Sequence, residues 1–88
     1  MSQLIREAKI SDVQAIYDLI VELAIYEKEP DAVVASVEQI QENLFGINPA
    51  AYCHVAEVDG QVVGIAIWFL NYSTWLGKAG LYLEDLFV

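Results

Sequence analysis

Eighty-eight residues leave room for one small domain, which buries only about 60 to 65% of its unfolded surface. Thirteen acidic residues stand against Arg6, Lys9, Lys28 and Lys78, a net charge of −9 that offers no basic surface to nucleic acid and attracts cations. One cysteine, Cys53, and one histidine, His54, allow no intrachain disulfide and no metal-ligand cluster, while the absence of a secretory signal or a 20-residue apolar run points to a soluble cytoplasmic protein without a membrane segment.

Gln3 to Ala8 suit a first strand. Ser11-Asp12-Val13-Gln14 reads as a capping box, and Val13, Ile16, Tyr17, Ile20, Leu23 and Ala24 follow at helical spacing, with Gln14, Asp18 and Glu22 opposite. This first helix should fray at Tyr26 to Glu29, because Pro30 disfavours helix in the residue before it, and a loop runs from Pro30 to Ala35. Ser36-Val37-Glu38-Gln39 repeats the capping pattern ahead of Val37, Ile40 and Leu44, and Gly46 is placed to end this second helix in a left-handed conformation.

Ala51 to Val58 alternate in the manner of a strand, Asp59-Gly60 is a preferred two-residue hairpin pair, and Gln61 to Leu70 returns. Asn71 to Gly80 is expected to be a loop, in which Tyr72 and Trp75 serve either as a cap over the core or as a wall of a ligand site. Leu81 to Val88 is expected to be a central strand buried on both faces, yet it holds two adjacent carboxylates, Glu84 and Asp85. On residue type alone such acids are more often solvated or salt-bridged than catalytic, and Asp85 has Lys78 or Arg6 as possible partners. Cys53 and His54 read as packed strand residues rather than as a nucleophile and a base.

The order strand, helix, helix, strand, strand, strand, with Glu22-Leu23-Ala24-Ile25-Tyr26-Glu27, the hairpin ending Val62-Val63-Gly64-Ile65-Ala66, and the pair Trp75-Leu76-Gly77-Lys78 and Tyr82-Leu83-Glu84-Asp85, resembles the GNAT superfamily of acetyltransferases. Within it the likeness is to the diamine (spermidine/spermine) and thialysine N-acetyltransferases. It implies an α+β fold, the N-terminal half of a mixed sheet with mostly antiparallel strands and two helices. It also implies acetyl-CoA as cosubstrate, a small primary amine as acceptor, Glu84 as the catalytic base, and Tyr26, Glu27, Trp75 and Asp85 as substrate contacts. The backbone of Leu86, Phe87 and Val88 would hold the pantetheine arm and polarise the thioester.

An alkyl amine with a pKa near 10.4 must lose a proton before attack, and a desolvated carboxylate can accept it. Ser73 stands where the polyamine enzymes commonly carry an acid, which leaves a lysine-like amine beside a polyamine as acceptor; Ile25 stands where a Lys is common. The family's Arg/Gly-rich pyrophosphate loop and its general-acid tyrosine lie beyond the part that the 88 residues resemble. The expectation is therefore an N-terminal half, inactive alone. The alternative is a non-catalytic module whose open last strand pairs with another copy to form a dimer.

Overall fold

The computed structural model of the chain describes residues 3–88. Four strands, β1 (Gln3–Glu7), β2 (Tyr52–Val58), β3 (Gln61–Ser73) and β4 (Lys78–Phe87), form one sheet in the order β1-β2-β3-β4, antiparallel throughout. Two helices, α1 (Val13–Tyr26) and α2 (Val37–Phe45), join β1 to β2. The sheet has an inner face, to which α1 contributes Ile16 and Leu19 against Cys53, Val55, Ile65 and Ile67. Ile16 and Val55 are almost wholly shielded from water, so this row is where apolar burial stabilises the fold most. Leu19 belongs to the row although it lay outside the stripe expected from spacing.

The outer face carries Ile5, Leu70, Leu81, Leu83 and Leu86, all exposed. β4 is an edge strand of this sheet, and residues 81–84 are exposed, so the expectation of a strand buried on both faces does not hold. Its apolar composition matched a central strand, but α1 lies on the inner side alone and reaches β4 only at its C-terminal end, near Asp85 and Phe87.

The entry to α1 differs from the expected Ser11 cap. Ile10–Asp12 make one 3-10 turn, and the carboxylate of Asp12 accepts the Lys9 backbone N–H at 2.7 Å. Arg6 donates to both oxygens of that carboxylate, at 2.8 and 3.1 Å, and to Glu57 at 2.7 Å. One guanidinium thus ties β1, the turn and β2 together, which is the fork geometry that Arg provides and Lys does not.

The Ser36 cap of α2 forms as expected, with Ser36 Oγ accepting from Gln39 N–H and Gln39 Oε1 accepting from Ser36 N–H. Gly46 follows α2 but is extended (φ −74°), not left-handed. Its reason is space: a Cβ there would lie 2.4 Å from the Glu42 carbonyl oxygen. The hairpin at Asp59-Gly60 has φ of 51° and 84°, the mirror-image turn that suits twisted strands. The expected loop over Asn71–Gly80 is mostly strand, because Tyr72 pairs with Ala79 and Ser73 with Lys78, leaving a tight turn at residues 74–77.

Arg6 holds the Asp12 carboxyl below its ordinary range, chiefly through their hydrogen bonds. The stability this provides is present above the unfolded pKa, near 3.9, and is lost as pH falls through the lower folded value. Asp12→Asn is expected to cost about 2 kcal/mol at pH 7 and to flatten the acid limb of stability. Urea midpoints between pH 2 and pH 7 test this, and parallel limbs for the two proteins would contradict it.

Candidate functional site

Pairing between β3 and β4 is regular from Ser73–Lys78 to Trp68–Leu83, then resumes at Ile67–Asp85. Glu84 is the residue skipped, a β-bulge. Without it Leu83 and Asp85 would share a face. With it, Leu83 sits opposite Trp68 on the outer face, whereas Asp85 sits opposite Ile67 on the inner face, beside α1. Glu84 is left exposed at the bulge, and Asp85 is half-buried.

Asp85 lines a cavity of about 130 Å³ with Glu27 and Glu29, over an apolar floor that includes Ile20, Leu23 and Ala24. The end of α1 builds the acidic wall. Lys28 N–H donates to the Ile25 carbonyl and Glu29 N–H to the Ala24 carbonyl, while Lys28 takes φ 63°. This is the Schellman reversal, with Lys28 at the position that usually holds glycine. It places Glu27 before the turn and Glu29 after it against the same cavity.

Among the described residues no ion pair reaches these carboxylates, not even from Lys28, which stands between Glu27 and Glu29 in the chain. Arg6 is committed to Asp12 and Glu57, and Lys78 lies at the far end of β4. The Asp85 carboxyl is consequently pushed above its ordinary range, first by burial and then by Glu84 and Glu27. The desolvation expected at Glu84 is found at Asp85, because the bulge turns Asp85, not Glu84, toward the helix. The arrangement suits a cationic group whose alkyl part rests on the floor, while Glu84, one residue away on the bulge, stays exposed to solvent outside the cavity lining.

Tyr26, 77% exposed, has its ring 6.1 Å from that of Phe87, so Tyr26, Glu27, Asp85 and Phe87 occupy one region. Leu86 and Val88 are exposed, and β4 pairs on one side only, so alternate backbone groups along it remain available as donors and acceptors. Trp75 is not brought to the cavity. It is 96% exposed at the β3–β4 turn, and the seven residue steps from Lys78 to Asp85 alone span roughly 23 Å at strand rise. Ser73 closes that turn by accepting the Leu76 N–H at 3.2 Å. Glu29 was not among the expected contacts; its signal was the Lys28-Glu29-Pro30 reversal, visible only once the helix end is placed.

Cys53 is buried in the sheet, which pushes its thiol up to about 11 and matches the packing role read from its position. His54 accepts a hydrogen bond from the Trp68 indole N–H at 3.1 Å. No helix among the described residues is long and apolar enough to cross a membrane.

A raised folded pKa means that Asp85 favours the folded state below its unfolded pKa and loses that contribution as pH rises through the folded value. Asp85→Asn is accordingly expected to raise stability at pH 7, by under about 1 kcal/mol for a half-exposed carboxylate, with little effect at pH 3. Thermal or urea unfolding at the two pH values checks the sign, and destabilisation at pH 7 would contradict it.

No family model matches the chain. The thialysine N-epsilon-acetyltransferase of Sus scrofa is 43% identical over 95 aligned positions, which cover 99% of this chain and 55% of that protein. The spermidine/spermine N(1)-acetyltransferase-like protein 1 of Homo sapiens is 40% identical over 91 positions, covering 96% of this chain and 13% of that one. Among solved structures, a possible acetyltransferase from Clostridium difficile 630 superposes with a TM-score of 0.74 at 22% identity, over all of this chain and 58% of that chain, a likeness of fold. The chain spans about half the length of the thialysine N-epsilon-acetyltransferases it matches.

Proposed function

This chain belongs to the GNAT superfamily of N-acetyltransferases, near the thialysine enzymes, and from that premise we propose that it forms the amine-binding half of an enzyme that acetylates a small primary amine. The observation that carries the reading is the bulge at Glu84, which separates a solvent-facing carboxylate from a desolvated one at the next residue.

Acetyl-CoA supplies the acyl group. Asp85 and Glu27, with Tyr26 beside them, hold the ammonium end of the acceptor while its methylenes lie on Ile20 and Leu23. Asp85 and Glu27 thus take a cationic group other than the reacting nitrogen. Glu84 takes the proton that the reacting amine must lose, directly or through water. The lone pair of that amine then attacks the thioester carbonyl, forming the C–N bond as the C–S bond breaks and coenzyme A leaves as thiolate. Along Leu86, Phe87 and Val88, the alternate backbone N–H groups that face away from β3 are suited to hold the pantetheine arm and to meet the charge that develops on the thioester oxygen. The cavity takes one aminoalkyl group, as a lysine analogue or one end of a polyamine would present. The setting is the cytoplasm, where Cys53 stays reduced.

Glu84→Gln keeps the shape of the bulge and removes the base. In the polypeptide that carries these residues, kcat for acetylation of thialysine or spermidine is expected to fall about 10²- to 10⁴-fold with KM little changed, recovering as pH rises toward the amine's own pKa. An unchanged kcat would remove Glu84 from the mechanism.

A second reading, a non-catalytic module that self-associates, draws on the exposed ten-residue edge of β4. The relatives' greater length supplies sequence to which the enzyme reading assigns the pyrophosphate end of acetyl-CoA. The 88-residue segment alone is therefore expected to show negligible turnover and weak acetyl-CoA binding. Calorimetry and sedimentation on the segment separate the readings: a micromolar dissociation constant for a monomer would overturn the half-site assignment, and a monomer at high concentration would overturn the module.

A further inference from the structure

The largest cavity described lies away from Asp85, at the end of β1. β1 and β2 pair as far as Glu7–His54; Ala8 N–H then donates to the Cys53 carbonyl at 2.9 Å and the chain leaves the sheet. β2 begins two residues before that last pair, at Tyr52, beside the C-terminal end of α2. Where β1 stops short, a cavity of about 420 Å³ opens between Glu7, Leu44, Phe45, Tyr52, His54 and Trp68. Its size falls within the range of small-molecule sites, about 300 to 1,000 Å³.

Its walls are aromatic and fixed. Tyr52 and Trp68 stack with ring centroids 4.7 Å apart, and the Trp68 indole N–H is anchored on His54 Nδ1. That bond puts the proton of a neutral His54 on Nε2. Phe45 and Leu44 close the side toward α2. Glu7, an exposed acid, lines the cavity and makes no ion pair among the described residues, and no lysine or arginine joins it there. The nearby Arg6 reaches the Glu7 carbonyl but keeps its charge on Asp12 and Glu57.

Aromatic faces beside one uncompensated carboxylate select a cation with apolar substituents. An anion meets Glu7 and the net charge of −9. A metal ion lacks ligands, since no group of three suitable side chains occurs among the described residues. We propose that this cavity is a second binding site, for a compact alkylammonium ion, independent of the groove at Asp85.

The test is titration of the ¹⁵N-labelled 88-residue chain with tetramethylammonium chloride, against sodium chloride at equal ionic strength. The readout is the Trp68 indole N–H resonance, assigned by its loss in Trp68→Phe. The expected result is a saturable shift specific to tetramethylammonium, with Kd raised about fivefold or more in Glu7→Gln and unchanged in Asp85→Asn. Three results would each overturn the site: the same shift with sodium, the same Kd in Glu7→Gln with its spectrum otherwise native, or a weakening in Asp85→Asn alone. An Asp85 groove that binds no amine would leave this site standing.

Discussion

Side chains on a strand alternate between faces, so a single skipped residue in the pairing of β3 with β4 moves everything beyond it to the other side of the sheet. On one side of Glu84 the inner face receives Tyr82, against Phe69; on the other it receives Asp85 and Phe87, against Ile67 and Ile65. The bulge thereby points an acid at the end of α1 and leaves its neighbour at the solvent. The different surroundings of these two acids depend on this local loss of pairing.

The placement of the few basic side chains divides the molecule. Arg6 satisfies Asp12 and Glu57 together, and its guanidinium is largely shielded, with 19% of the side chain exposed. That end of the sheet is held by a compensated ion cluster. At the other end Asp85, Glu27 and Glu29 line one cavity with no ion pair among the described residues, and burial there opposes ionisation of Asp85.

The capping box at Ser36, the Asp59-Gly60 hairpin and the helical stripe through Ile16 were legible because each is set by interactions within a few residues. The errors arose where a distant partner intervened. Ser11 lost the capping role because Arg6, on another element, holds Asp12 in place. Gly46 looked like a left-handed stop, but the close Glu42 carbonyl explains it. Asn71 to Gly80 read as loop from its glycines, yet β3 and β4 extend by pairing with each other. That extension carries Trp75 far from Asp85, although the two stand only ten positions apart.

The sequence by itself determined the element order, the resemblance to the acetyltransferases and the adjacency of Glu84 and Asp85, since these depend on residue type and short-range spacing. Only the tertiary structure decided which of those two acids faces α1, that Glu29 joins Glu27 beside it, and that a second cavity opens at Glu7. Strand register, the reversal at Lys28 and the early end of β1 are settled by contacts between segments far apart in the chain. A one-residue change in any of them would alter the site without altering the composition or the local pattern from which the fold was read.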